Sequence, residues 1–219
     1  MTACVLRCPL LSLGFLASNA GSAMRAILSA ISCGDLAATA KLLVVNNPKA
    51  TALAIASASG VPTLCLPTVK DPQAADIALA KAMSEAKVDL IILSGYLRRL
   101  GPVTLNTFQN RILNIHPGPL PEFGGEGMYG RRVHQAVLKS GATMSGICVH
   151  LVDEIYDHGS VLNRKIIAVR PTDLVEDLER RVTEAEPKFF VETLGEIIAG
   201  RLALPGDLQT KATHAKSAS

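Results

Sequence analysis

Apolar runs bounded by turn residues recur at 10–17, 41–45, 63–66, 89–93 and 111–115, and between them the hydrophobic positions shift to helical spacing over 22–32, 49–57 and 72–86. Strands and helices alternating in this way predict an α/β fold built on a doubly wound, mostly parallel sheet. Such sheets receive ligands at the carboxyl ends of their strands, beside the point where strand order reverses. The pattern changes at Pro117, where a Gly- and Pro-rich stretch over 118–130 predicts a long surface loop of the kind that is often functional. A helix over 131–139 follows, then strands over 146–152 and 161–169 that make an antiparallel addition to the sheet. The last element is a helix over 173–199, which Pro187 is expected to kink or divide. No repeat or compositional shift marks a linker, so residues 1–204 are expected to form a single domain. The small, polar residues of 205–219 are expected to form a disordered tail.

A chain of 219 residues with 48% hydrophobic content can bury a sizeable core. Its net charge of +3 comes from Lys and Arg scattered among acids, with no basic stripe, so nucleic acid is not an expected partner. The five cysteines, Cys4, Cys8, Cys33, Cys65 and Cys148, are odd in number and widely spaced, and they include no Cys-x-x-Cys pair. That usage points to a reduced, cytoplasmic setting. Residues 1–17 are apolar with an early Arg7, a pattern shared with signal peptides. However, only about ten mostly apolar residues follow Arg7 before a helix start, which favours a first core strand. No span approaches the roughly 20 apolar residues of a membrane helix.

Candidate chemistry gathers at the end of the fifth apolar run, in Asn114-Ile-His116-Pro117, and at Asp157 within Glu154-Ile-Tyr-Asp157-His-Gly159. These residues supply an amide donor, an imidazole that titrates near neutrality and a carboxylate that would raise its charged fraction. A reaction passing through a tetrahedral oxyanion needs that set. A strand-end turn with a buried, hydrogen-bonded histidine uses the same residues. Asn114 and His116 are two apart on the last parallel strand, so they share one face towards the cleft, and Pro117 fixes the exit.

Near the amino terminus, Ser18-Asn-Ala-Gly21-Ser22 precedes a helix, where free amides and the helix dipole favour an anion. A plain helix N-cap by Ser22 is the alternative. The full Gly-x-Gly-x-x-Gly fingerprint is absent and Asn46-Asn47 stand where an acid ends the second strand of dinucleotide-binding folds, which disfavours a dinucleotide. His158, Asp153 and Glu154 match no recognised zinc spacing, so no metal site is expected.

Several separated segments, in order, resemble the phosphoribosylglycinamide formyltransferase family over roughly residues 10–200. They are Gly21-Ser22, Gly95-Tyr-Leu-Arg-Arg-Leu100, Asn114-Ile-His-Pro117, Leu120-Pro121, Gly124-Gly-Glu-Gly-Met-Tyr-Gly130, Val149-His150, Tyr156-Asp157-x-Gly159 and Arg181-Val182-x-x-x-Glu186. The resemblance implies a Rossmann-like formyltransferase fold and transfer of a formyl group from 10-formyltetrahydrofolate to the amine of glycinamide ribonucleotide in purine biosynthesis. It gives Asn114 and His116 the formyl oxygen and the proton transfer, and Asp157 the task of holding His116 charged. It places the folate along Leu97, Arg98, Arg99 and Leu100, with Asn114, Val152, Asp153 and Asp157. It places the ribotide on Gly21, Ser22, Ala23 and Glu186. Small molecules are then the partners, with no membrane and with a monomer or homodimer as the assembly.

His134 and His150 match family positions near the cleft, but a helix-face and a buried-strand reading suffice for them, and both stay outside the catalytic set. Two departures touch the ribotide phosphate. Ala23 stands where the family usually has Asn, and 67–78 contains no Arg, leaving Lys70 or Arg25 as substitute cations. Another amine such as an amino sugar, hydrolysis of formyltetrahydrofolate, and a noncatalytic ligand-binding relative are the alternatives. Hydrolysis is the weaker match, since that family usually carries a second histidine where Pro117 stands and an extra amino-terminal domain.

Overall fold

The computed structural model describes residues 10–206. Seven strands, β1 (Leu11–Ala17), β2 (Ala38–Val45), β3 (Thr63–Cys65), β4 (Leu90–Leu93), β5 (Ile112–His116), β6 (Met144–Leu151) and β7 (Val161–Ala168), form one sheet in the order β3-β2-β1-β4-β5-β6-β7. The first five run parallel, and β6 and β7 add to β5 antiparallel, as the alternation predicted. The helices are α1 (Ser22–Ser32), α2 (Ala52–Ala58), α3 (Pro72–Glu85), α4 (Pro102–Thr107), α5 (Arg131–Lys139) and α6 (Val175–Ile198). The tail expected over 205–219 lies, beyond Gly206, outside the described residues, as do Cys4 and Cys8.

Strand alternation splits the core into two layers. Leu13, Phe15 and Ala17 of β1 and Leu90 and Ile92 of β4 pack with α1, α2 and α6, whereas Leu16, Ile91 and Leu93 face α3 and the segment around α4. Gly14 lies on this second side, where a Cβ would come within 2.6 Å of the Met83 sulfur, so the absence of a side chain lets α3 approach the sheet.

Three local details depart from the sequence pattern. Helix α2 begins at Ala52 and not at 49, because Asn47 accepts from the Lys49 amide through its side chain and from the Ala50 amide through its carbonyl, which makes a turn there. Helix α6 runs unbroken through Pro187. The proline removes one helical hydrogen bond at a cost of about 3 kcal/mol, but Leu178, Val182, Phe189, Phe190 and Leu194 are buried on both sides of it, at roughly 1.5–3 kcal/mol each. Helix α4 was not visible as a periodic run. Pro102 opens it, and the buried carboxylate of Asp76 on α3 accepts from the amides of Val103 (2.9 Å) and Thr104 (3.0 Å).

Strand order reverses between β1 and β4, and the exits of these two strands are tied together. The Ser18 amide donates to the Gly95 carbonyl (3.1 Å), and the Leu97 amide donates to Ser18 Oγ (2.8 Å). This fixes the 95–101 loop at the carboxyl edge of the sheet, next to the end of β5.

Candidate active site

β5 and β6 pair so that Asn114 lies opposite His150 and His116 opposite Cys148. The Asn114 side chain therefore meets a histidine from the neighbouring strand. Asn114 Nδ2 is 3.1 Å from His150 Nε2, and His150 Nδ1 is 2.8 Å from the Leu151 carbonyl. A carbonyl only accepts, so Nδ1 of His150 carries a proton, which leaves Nε2 free to accept from Asn114. Asp157 reaches both imidazoles, with His116 Nδ1 at 3.4 Å from Oδ2 and His150 Nε2 at 3.5 Å from Oδ1. The Gly125 amide donates to the same carboxylate at 3.1 Å. Asn114, His116 and Asp157, separate in sequence, thus form one cluster as the motif spacing suggested. His116 is only 3% exposed and Asp157 11%.

The loop over 118–130 closes this cluster from above. His116 Nε2 donates to the Phe123 carbonyl at 2.8 Å, which fixes a proton on Nε2 and turns Nδ1 towards Asp157. Close approach depends on glycine. A Cβ on Gly124 would lie 2.3 Å from Leu120 Cδ2 and 3.0 Å from Asp157 Cβ, and one on Gly159 would lie 1.9 Å from the Leu151 carbonyl oxygen. Asp157 itself sits at φ 55, a left-handed conformation that presents its carboxylate to both histidines. Gly159→Ala is therefore expected to displace the Asp157 turn. Its melting temperature should fall by about 4 °C or more, measured by calorimetry against wild type, and an unchanged value would contradict the packing described.

Burial lowers the pKa of His116 below the ordinary imidazole value, and Asp157 and the Phe123 carbonyl push it back only in part. The carboxylate acts in the expected direction but is outweighed. For Asp157, burial raises the pKa, but the neighbouring His150 and His116 rings and the Gly125 amide together overcome it and leave the carboxyl below its usual range. Asp157 is thus held ionised, poised to stabilise positive charge on His116 when a proton arrives.

His150 is the functional candidate that sequence reasoning set aside. It is buried, as a structural reading requires, but its partners are Asn114 and Asp157. The antiparallel register of β5 and β6 carries the signal, and that register is not readable from either strand alone. His134, on α5, is also buried, its Nδ1 has no hydrogen-bond partner among the described residues, and burial lowers its pKa.

The stretch assigned to folate divides by exposure. Leu97 is exposed, whereas Leu100 is buried against Phe108 and Ile112. Arg98 is exposed. Arg99 and Leu100, with Pro72, Gly101, Pro102, Leu105 and Glu154, line a cleft of about 400 Å³. Val152 is tied to β5 by its amide bond to the Ile112 carbonyl, and Asp153 accepts from the Ile155 amide and pairs with His158 at 2.8 Å. Val152 thus anchors the start of the arm over 153–157, whereas the Asp153 bonds stay within its own turn, and neither residue lines the cleft.

At the amino end of α1, Gly21 is the N-cap at φ 62 with no side-chain cap, so Ser22 does not cap the helix. Ser94 Oγ accepts from the Met24 amide instead (2.9 Å), and the Arg25 amide returns to the Gly21 carbonyl. Among the described residues the Ser22 and Ala23 amides donate to no other group, the arrangement that receives an anion. The Ala23 methyl is buried in the core, which leaves its amide alone for this task. Lys70 and Arg25 are exposed. Glu186 stands on α6, which packs on α1, and burial raises its pKa to about 7.

Because Glu186 holds its proton more tightly in the folded state, its contribution to stability is full below about pH 4.5 and is lost as pH rises through 7. Glu186→Gln should accordingly melt about 2–5 °C above wild type at pH 8 and level with it near pH 4.5. A gap of the same size at both values would point to another cause.

Among the described residues, no helix is long and apolar enough to cross a membrane. The formyl transferase family profile matches residues 12–194. The chain belongs to the formyl transferase family. Within this family its relatives include phosphoribosylglycinamide formyltransferases. The chloroplastic enzyme of Arabidopsis thaliana is 37% identical over 188 residues, covering 84% of this chain but 64% of its own length, so the chain spans less than two thirds of that relative. The Bacillus subtilis (strain 168) protein is 30% identical over 184 residues, covering 83% of this chain and 92% of its own. The crystal structure of glycinamide ribonucleotide transformylase 1 from Symbiobacterium toebii superposes with a TM-score of 0.80 at 31% identity, over 90% of this chain and 92% of that one. Family membership carries the Rossmann-like fold with it, and the seven-stranded mixed sheet agrees.

Proposed function

We propose that the chain transfers the formyl group of 10-formyltetrahydrofolate to the primary amine of glycinamide ribonucleotide, a step of purine biosynthesis. The observation that carries this reading is the convergence of Asn114, His116 and Asp157 at the carboxyl end of β5, with His116 and Asp157 3.4 Å apart.

In this mechanism the acceptor nitrogen attacks the formyl carbon and the carbonyl oxygen gains negative charge. Asn114 offers its amide hydrogens and protonated His116 its charge to that oxygen, in a pocket where burial strengthens both. As the bond from the formyl carbon to the folate nitrogen breaks, the charged imidazole gives its proton to that nitrogen and takes back the proton lost by the acceptor amine, while Asp157 steadies the charged ring. His150 orients the Asn114 amide.

The folate is assigned to the cleft beside the 95–101 loop and the arm over 153–157, with Arg99 and Leu100 in its lining and Leu97, Arg98, Val152 and Asp153 in the segments around it. The ribotide phosphate is assigned to the Ser22 and Ala23 amides after Gly21, with Glu186 at the acceptor. The protein acts on small molecules in the cytoplasm as a monomer or homodimer.

A second reading, formyl transfer to a different amine, is favoured by one feature. The buried Ala23 methyl and the absence of Arg in 67–78 leave the phosphate to backbone amides and lysine. A continuous assay of tetrahydrofolate release tests both. Release with glycinamide ribonucleotide alone supports the first reading, and release only with an amino sugar nucleotide supports the second. Release without any amine would mean hydrolysis, and silence throughout would mean a noncatalytic binding protein.

A further inference from the structure

The arm over 153–157 carries Asp157 but is weakly held. Ile155 and Tyr156 are 61% and 46% exposed. The hydrogen bonds of 153–156 are mostly internal: Asp153 accepts from the Ile155 amide, pairs with His158, and the His158 amide returns to the Ile155 carbonyl. Among the described residues, one hydrogen bond joins this segment to another element. Arg99 Nη2 donates to the Glu154 carbonyl at 2.6 Å, across 55 positions of sequence. The same guanidinium lies 5.9 Å from the centroid of the Tyr156 ring. A segment with exposed side chains and few outside bonds opens at low cost, so its position rests on whatever ties its ends. At one end Asp157 is tied to Gly125 and to the two histidines. At the other, Val152 is tied to Ile112, and between these ends Arg99 holds the Glu154 carbonyl.

We propose that Arg99 is a positioning residue, a latch that holds the arm over the cleft and thereby keeps the Asp157 carboxylate against His116. Its Nη2 donates to the carbonyl while the guanidinium stands over the Tyr156 ring, a pairing that lysine reproduces only as a point charge. The charge on the donor strengthens its bond to a neutral carbonyl. The consequence for turnover rests on the formyl-transfer reading, whereas the consequence for the arm does not.

Wild type, Arg99→Leu and Arg99→Lys, all as the full chain, separate these. In the ligand-free protein, hydrogen exchange reads the arm and imidazole NMR reads the titration of His116. That ring faces Asp157, the Phe123 carbonyl and His150, with His134 nearby, and of these Asp157 alone is carried on the arm. Arg99→Leu is expected to speed exchange of the hydrogen-bonded Ile155 amide about three- to tenfold, the loss of one hydrogen bond, and to lower the His116 midpoint. Arg99→Lys should fall between Arg99→Leu and wild type. In the assay, kcat should drop several-fold with a smaller change in KM. Wild-type exchange and titration in Arg99→Leu would overturn the latch, as would faster exchange spread evenly through the sheet. If arm and titration respond while wild type transfers no formyl group, the latch stands and the formyl-transfer reading fails.

Discussion

Asn114→Ala is expected to lower kcat by roughly two to three orders of magnitude, the loss of one oxyanion donor, with little change in affinity for the formyl folate. The residue stands at the end of β5, where its side chain meets His150 and its backbone remains in the β5–β6 ladder, so the sheet does not depend on the amide. Truncation leaves His150 Nε2 without its donor, a burial cost of about 1–3 kcal/mol that lowers the melting temperature without unfolding the protein. Steady-state kinetics on folded variant, checked by circular dichroism, decides the matter. A rate near wild type would remove Asn114 from the chemistry.

Asp157→Asn is expected to lower kcat by about a hundredfold or more, because the ring must carry a proton in a buried site and loses the charge that stabilises it. Removing the carboxylate also removes the main influence that raises the His116 pKa against burial, so the His116 midpoint moves further down. Imidazole NMR on the ligand-free variant measures that movement independently of turnover. Folate affinity should change little. Equal losses in kcat and affinity would mean that Asp157 shapes the cleft and takes no part in the proton relay.

Much of this arrangement is legible in the sequence because its cause is local. Helix α1 starts at Ser22 because Gly21 supplies a left-handed turn, and α3 starts at Pro72 because Asp71 caps it. Asn114 and His116 share a face because strand geometry has a period of two. What escaped reading is set by long-range pairing. His150 joins the site only through the antiparallel register, and Ser94, not Ser22, caps α1 because β4 ends beside it. Helix α4 depends on a carboxylate from α3, and Pro187 is overridden by the buried side chains around it. The direction of the His116 shift was also hidden, since the sequence displays the carboxylate but not the depth of burial that outweighs it.

Transfer of the formyl carbon is tested most directly by labelling it. With 10-formyltetrahydrofolate carrying a ¹³C formyl group and glycinamide ribonucleotide as acceptor, carbon NMR of the reaction should show the label leaving the folate and appearing as a formamide on the ribotide, with wild type and not with Asn114→Ala. Label recovered as free formate, or remaining on the folate, would contradict the account.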